Sequence, residues 1–172
     1  MRDLLPELCD RYSSELRLFA PIFTSFGGQQ IFAGPIDTVR CPEDNGLVRT
    51  VLSEPGAGRV LLIDGGGMAR RALLGDQLAM MASSNGWAGI VVYGSVRDVM
   101  TLATIPVGIQ ALGAVPMKTE KRGLGERGVE VEILGLRIQP GQYLYADPNG
   151  IAVSDRALSL PDGFEELNFA AD

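Results

Sequence analysis

The 172-residue sequence contains no histidine. That absence removes Ser-His-Asp and Cys-His nucleophile systems, His-ligated zinc, H-E-x-x-H helices and imidazole acid–base chemistry together. Any metal ion must then be held by oxygen, which points to hard cations such as Mg²⁺ or Mn²⁺. Cysteine is scarce, and Cys9 and Cys41 form no C-x-x-C motif; they read as buried thiols of a cytoplasmic protein. No apolar run approaches the ~18 residues of a membrane span. Met1 to Tyr12 carries Asp3, Glu7 and Asp10 in place of a signal core, so a cytoplasmic location with no membrane partner is expected. Basic residues are in deficit, 15 against 21 acids, giving a net charge of −6. That balance opposes direct nucleic-acid binding, which needs clustered Lys and Arg. Arg70-Arg71 and the acid-interrupted Lys118 to Arg127 read as solvated faces or loops.

What is present describes one globular domain over residues 1–172, with 46% hydrophobic and 21% charged residues and enough chain to bury a core without disulfides. Ser159 to Asp172 is acidic with few apolar anchors and is expected to be a flexible tail. Leu4, Leu5, Leu8 and Tyr12 recur at helical spacing. Gln30 to Cys41 alternates loosely with Gly34-Pro35 interrupting it, which suggests strands joined by turns. Pro42 to Asn45 opens a helix through Leu47, Val48, Val51 and Leu52.

Arg59 to Asp64 is a continuous apolar run suited to a strand buried on both faces, closed by Gly65-Gly66-Gly67. Those glycines make neither a Walker A loop nor a dinucleotide fingerprint, because Arg70 stands where the last glycine would be needed. Asp76 to Asn85 reads as a helix, with Leu74, Leu78, Met81 and Ala82 on one face, and Ala88 to Tyr93 as the next buried strand. Strand, helix and strand make a βαβ unit with its ligand side at the carboxyl ends of the strands. Val99 to Ile105 suits a short helix and Gly108 to Val115 a strand. Lys118 to Gly128 is a glycine-rich loop, and the chain from Val129 to Val153 alternates as antiparallel β structure. The fold class is therefore α/β, with a βαβ unit and an antiparallel C-terminal part.

The chemistry concentrates between Leu73 and Asp98. Twenty residues separate Asp76 from Arg97, and Asp98 follows at once; one helix and its returning strand take up that interval, so the two ends can converge. On spacing alone Asp76 is equally an ordinary helix cap and Arg97-Asp98 a surface turn. Gly75 before Asp76 at a helix start adds free backbone N–H groups suited to a carboxylate. Arg97 adds a planar fork matched to the same group, and two aspartates supply what a divalent ion needs to bridge protein and ligand.

Leu8-Cys9-Asp10, Phe26-Gly27-Gly28, Glu43-Asp44-Asn45-Gly46, Asp64-Gly-Gly-Gly67, Gly75-Asp76-Gln77-Leu78, Tyr93 to Asp98, Gly108-Ile109-Gln110-Ala111 and Tyr145-Ala146-Asp147 together resemble the RraA-like family. That family comprises regulator of ribonuclease activity A and the 4-hydroxy-4-methyl-2-oxoglutarate aldolases. The resemblance implies a single-domain β/β/α swivelling-domain fold of the phosphohistidine-domain type, assembled as a homotrimer or a dimer of trimers with the site near a subunit interface. Asp76, Arg97 and Asp98 match the aldolase branch, since the ribonuclease regulators typically lack the final aspartate.

Carried over by residue, the resemblance implies Asp98 as direct metal ligand and Asp76 as a ligand through water. Arg97 would contact substrate, and the backbone of Gly75, Asp76, Gln77 and Leu78 would hold a pyruvyl carboxylate. It implies a metal-dependent aldolase for a small 4-hydroxy-2-oxo acid that also decarboxylates oxaloacetate, with an inhibitor of a ribonuclease E-type endoribonuclease as the alternative. Longer aldolases add a C-terminal acid; Glu165 and Glu166 are the weaker candidates for handling the proton and read first as solvated acids, and with no histidine present a water or hydroxide on the metal, oriented by Asp76, is the expected acceptor. No lysine lies in the motif, which argues against a Schiff base, and Lys118 and Lys121 are expected to stay outside the chemistry.

Overall fold

The structure, a computed structural model, describes residues 2–167. Helix α1 (Leu5–Tyr12) turns Leu5 and Leu8 inward and carries a proline in its first turn, where the missing N–H is no loss. Two short strands, β1 (Arg17–Leu18) and β2 (Thr24–Ser25), lead into the long β3 (Phe32–Arg40). Then follow α2 (Gly46–Leu52), β4 (Val60–Asp64), β5 (Ala72–Leu74), α3 (Asp76–Ser84), β6 (Gly89–Val96), α4 (Val99–Leu102) and β7 (Gly108–Ala114). The chain continues through β8 (Glu126–Arg127), β9 (Val131–Ile133), β10 (Leu136–Ile138), β11 (Tyr143–Asp147) and β12 (Gly150–Ser154). A 3₁₀ turn at Glu165–Leu167 ends the described chain.

Strand β3 joins two half-sheets. Its first residues pair antiparallel with β11, Pro35 opposite Tyr143, and Ile36 to Arg40 pair parallel with β4. Gly34-Pro35 therefore does not break the strand as expected; it marks the point where the partner changes, which spares proline a ladder bond it cannot donate. On one side the order is β1, β12, β11, β3, all antiparallel; on the other it is β3, β4, β6, β7 in parallel, with β2 antiparallel at the edge.

Side-chain alternation distributes the core into layers. Leu61, Ile63, Ile90 and Val92 face the helices with Val48, Leu52, Leu78 and Ala82. From the opposite face, Val60, Leu62 and Val91 meet Leu144, Ala146, Ile151 and Val153 of the antiparallel half. The outer face of that half buries Tyr145 and Ala152 against Leu4, Leu5 and Leu8. Phe32 fills the crossing point: a Cβ on Gly89 or on Gly108, its neighbour across β6 and β7, would lie 2.2 Å or 2.1 Å from the Phe32 ring. Only glycine leaves room for that ring.

The βαβ unit forms as expected, with β4 and β6 as parallel neighbours from Val60 and Gly89 onward, but it contains a strand that local pattern conceals. Where β4 ends at Asp64, opposite Tyr93, β5 takes over as partner of β6, with Ala72 opposite Ser95 and Leu74 opposite Val96. Leu74 thus belongs to a strand and not to the face of α3. The antiparallel C-terminal part is as expected, with β11 and β12 joined by a tight turn at Pro148-Asn149. Asp147 at that turn accepts the Leu4 and Leu5 N–H groups at 2.9 Å each, which fastens the start of α1.

Leu158 and Phe164 are buried with α1, so the segment expected to have few anchors is held to that point. Residues 168–172 lie outside the described residues. Among the described residues no helix is long and apolar enough to cross a membrane.

Candidate active site

The end of β5 and the end of β6 lie side by side, tied by the Arg97 N–H donating to the Leu74 carbonyl at 3.0 Å. Chain leaving β5 turns at Gly75 into α3, and chain leaving β6 turns at Arg97-Asp98 into α4. Asp98 makes its turn in the left-handed region, φ 61° and ψ 38°, which aspartate tolerates better than most residues. Its Oδ2 accepts the Asp76 N–H at 3.1 Å and stands 3.8 Å from Arg97 Nε. A Cβ on residue 75 would lie 2.7 Å from that same oxygen. Glycine is required there for close approach, since its φ of −133° is open to any residue.

All six residues expected at the site, Gly75, Asp76, Gln77, Leu78, Arg97 and Asp98, line one cavity of ≈ 230 Å³. The α3 N-terminus already behaves as a carboxylate site: Asp98 takes the Asp76 N–H, and Asp76 Oδ1 accepts the Gln77 N–H at 2.8 Å. The charged side chains of Arg97 and Asp98 are 38% and 36% exposed, so both are open to a ligand. Glu165 and Glu166 are not brought to this cavity; the Gly163 N–H donates to Glu165, and Glu166 lines a different cavity with Gly27 and Gly28.

The other walls come from residues that the sequence left elsewhere. Asn45 and Arg49, from the start of α2, face the cavity together with Lys118 and Lys121. The segment carrying the lysines is largely the glycine-rich loop expected, and hydrogen bonds tie it to the cavity walls. Ala72 N–H donates to the Met117 carbonyl at 2.7 Å, the Arg71 guanidinium to the Lys118 carbonyl at 3.0 Å and Asn45 N–H to the Glu120 carbonyl at 3.4 Å. Asp44, whose side chain is 0% exposed, accepts N–H groups from Gly46 (2.8 Å), Arg122 (2.6 Å) and Gly123 (3.1 Å). Burial pushes the Asp44 carboxyl up, but these donors and the Arg122 guanidinium outweigh it and hold the group below the ordinary carboxylate range. Two sequence signals bear on this wall: Lys118 and Lys121 are the only lysines in the chain, and Asp44 and Asn45 stand in the Glu43-Asp44-Asn45-Gly46 motif of the family resemblance.

A larger cavity, ≈ 710 Å³, opens beside the ends of β3 and β4 and is lined by Cys41, Glu43, Asp64 and Met68 among others. Burial, with Asp44 and Asp64 nearby, pushes the Cys41 thiol up to about 12, which leaves it protonated and a poor nucleophile at neutral pH.

Among the described residues no three Cys, Asp or Glu side chains converge as a ready metal cage. Two carboxylates at the rim of a polar cavity fit an ion of the Mg²⁺ type, which keeps several waters and is held through one or two carboxylates plus ligand oxygens.

The fold and this cavity define a mixed α/β single-domain protein with a carboxylate-binding helix start, an arginine and two aspartates in one pocket. The family model described as RraA-like, Aldolase/RraA, matches residues 5–153, and the chain belongs to that family. It is 52% identical over 162 residues to "Putative 4-hydroxy-4-methyl-2-oxoglutarate aldolase" of Ectopseudomonas mendocina, covering 94% of this chain and 100% of the relative. A protein of the same name from Pseudomonas fluorescens is 49% identical, covering 91% of this chain and 96% of the relative. Among solved structures, the RNA-processing inhibitor RraA from Thermus thermophilis superposes with a TM-score of 0.88 at 46% identity, over 92% of this chain and 96% of that one.

Proposed function

We propose that the protein is a divalent-metal-dependent class II type aldolase. Its substrate is 4-hydroxy-4-methyl-2-oxoglutarate or a similar 4-hydroxy-2-oxo acid, cleaved to pyruvate and a second 2-oxo acid, and the same site decarboxylates oxaloacetate. The observation that carries this reading is the meeting of Asp76, Arg97 and Asp98 around the α3 N-terminus in one cavity. The names of the relatives support the aldolase over the regulator.

The substrate carboxylate takes the backbone donors of Asp76, Gln77 and Leu78, replacing the internal carboxylates that satisfy the first two. Asp98 would hold Mg²⁺ or Mn²⁺ directly and Asp76 through water, and the ion would supply Lewis-acid polarisation of the 2-oxo group. Breaking the C3–C4 bond sends its electron pair to C3 while the C4 hydroxyl gives up its proton to water oriented by Asp76. Arg97 stabilises the charge that develops on the enolate oxygen, and proton return to C3 gives pyruvate. A homotrimer or dimer of trimers, a cytoplasmic location and a swivelling-domain likeness complete the proposal, the last supported by two half-sheets facing each other over one apolar layer.

Purified protein with Mg²⁺ or Mn²⁺ is expected to release pyruvate from oxaloacetate faster than the ion alone, and EDTA to stop it. Equal rates with and without protein would remove the enzyme reading.

The likeness to an RNA-processing inhibitor favours one second reading: a protein that binds a ribonuclease E-type enzyme through its acidic surface. Pull-down with that nuclease and an RNA-cleavage assay separate the two.

A further inference from the structure

The triple glycine after β4 lies outside the candidate active site, and its bonds show where it acts. The Gly65 and Gly67 N–H groups both donate to the Tyr93 carbonyl, at 3.0 Å and 3.2 Å, and the Gly66 N–H donates to Asp64 at 2.9 Å. Gly66 and Gly67 stand at φ 71° and 74°, left-handed positions in which a side chain is strained. A Cβ on Gly65 would lie 2.3 Å from the Leu73 side chain. The loop therefore folds back onto β6 and hands the chain from β4 to β5.

Strand β5 has three residues and pairs with β6 at a shifted register. Strand β6 is itself irregular: it takes three steps from Val92 to Ser95 where β7 takes two, from Ala111 to Gly113, and an extra residue of this kind bends a strand. So short a pairing between two irregular strands does not fix its own position. Yet Gly75 and Arg97, each one residue past its strand, have to meet closely enough for the Arg97 N–H to reach the Leu74 carbonyl and the Asp76 N–H to reach Asp98. Ser95 stands where that fixing is needed. It lies opposite Ala72, the first residue of β5, and is 3% exposed, in a strand otherwise built of glycine, valine, isoleucine and one tyrosine. Its hydroxyl donates to the Met68 carbonyl at 3.1 Å. Alanine would satisfy the packing at such a position, and a buried hydroxyl costs stability unless its bond is made.

We propose that Ser95 is a positioning residue of the candidate active site. Its hydroxyl holds the loop of Gly65 to Met68 against β6, and that tie sets β5 in the register that brings Gly75-Asp76 beside Arg97-Asp98. Ser95 touches no reacting atom and acts through the backbone on both sides of it. The proposal rests on the aldolase reading for its effect on rate, and on the hydrogen bonds alone for its effect on the junction.

Hydrogen exchange read by mass spectrometry on the full chain, beside steady-state pyruvate release with Mg²⁺, tests it. Ser95→Ala is expected to speed exchange roughly fivefold in the peptides that carry Asp76 and Arg97 and to lower kcat about tenfold, a fraction of what an ångström's misplacement costs. Ser95→Thr keeps the donor and should restore part of both. Ile151→Val removes a comparable amount of packing from the antiparallel half and should leave both readings at their wild-type values. Unchanged exchange at Asp76 and Arg97 in Ser95→Ala overturns the tie, and so does faster exchange with an unchanged kcat. Equal losses in Ser95→Ala and Ile151→Val, or alanine and threonine variants that behave alike, would reduce the serine to a packing residue and overturn it as well. Wild type that releases no pyruvate sinks the aldolase reading, while the exchange rates still decide whether Ser95 holds the junction.

Discussion

Gly75 governs the site through what it leaves out. A β-carbon there would press on Asp98 Oδ2 at 2.7 Å and crowd the Arg97 side chain at 3.4 Å, while the backbone angles accept alanine without strain. Gly75→Ala is therefore expected to cost turnover on the order of 10²-fold, the scale of an ångström's misplacement. Its melting temperature should move by only a few degrees. Steady-state pyruvate release and a thermal scan measure the two effects, and full activity in the variant would separate Gly75 from the chemistry. The chain brings Asp76, Arg97 and Asp98 into one cavity as the spacing of one helix and its returning strand allows, whereas the separate roles proposed for them rest on the family resemblance. Arg49 escaped sequence reasoning, and Asn45 entered only through a family motif, because they reach the cavity from α2, in a different crossover from α3, and no local pattern records such a meeting.

Among the elements, the segment from Lys118 to Gly128 shows how composition can mislead. Its glycines suggest freedom, yet its fixed point is a carboxylate 78 positions earlier, Asp44. That carboxylate titrates below its unfolded value, so it adds stability that is present above the ordinary carboxylate pKa of about 4 and is lost as pH falls through the lower folded value. Asp44→Asn should lower the melting temperature at pH 7 and flatten its decline below about pH 4; an unchanged acid limb would show that the clamp is not made. Strands β4 and β6 and helix α3 were legible because long buried runs declare themselves. Strand β5 was not, since three residues after Arg70-Arg71 are too few for any period and their strand character comes from pairing with β6. The unity of β3 was hidden for a related reason: Gly34-Pro35 reads as a break unless the change of partner is known.

At the scale of the whole molecule, β3 and the Phe32 ring make the two half-sheets one cooperative unit. Phe32 is fully buried and rests on Gly89 and Gly108, so Phe32→Ala should destabilise by roughly 3–5 kcal/mol. Denaturant unfolding monitored by two probes should still show one shared transition; two separated transitions would mean that the halves fold independently. The same frame sets the terms on which the chemistry is kept. Asp98 occupies a left-handed backbone position that glycine fills without strain. Asp98→Gly gives up one bond to the start of α3 and relieves the backbone, whereas Asp98→Ala gives up the bond and keeps the strain. Both should be inactive, with the glycine variant the more stable by about 1 kcal/mol in urea unfolding. If Asp98 holds the metal as proposed, a single replacement there can end catalysis at little structural penalty. The folded shape then remains free to be recruited for binding alone.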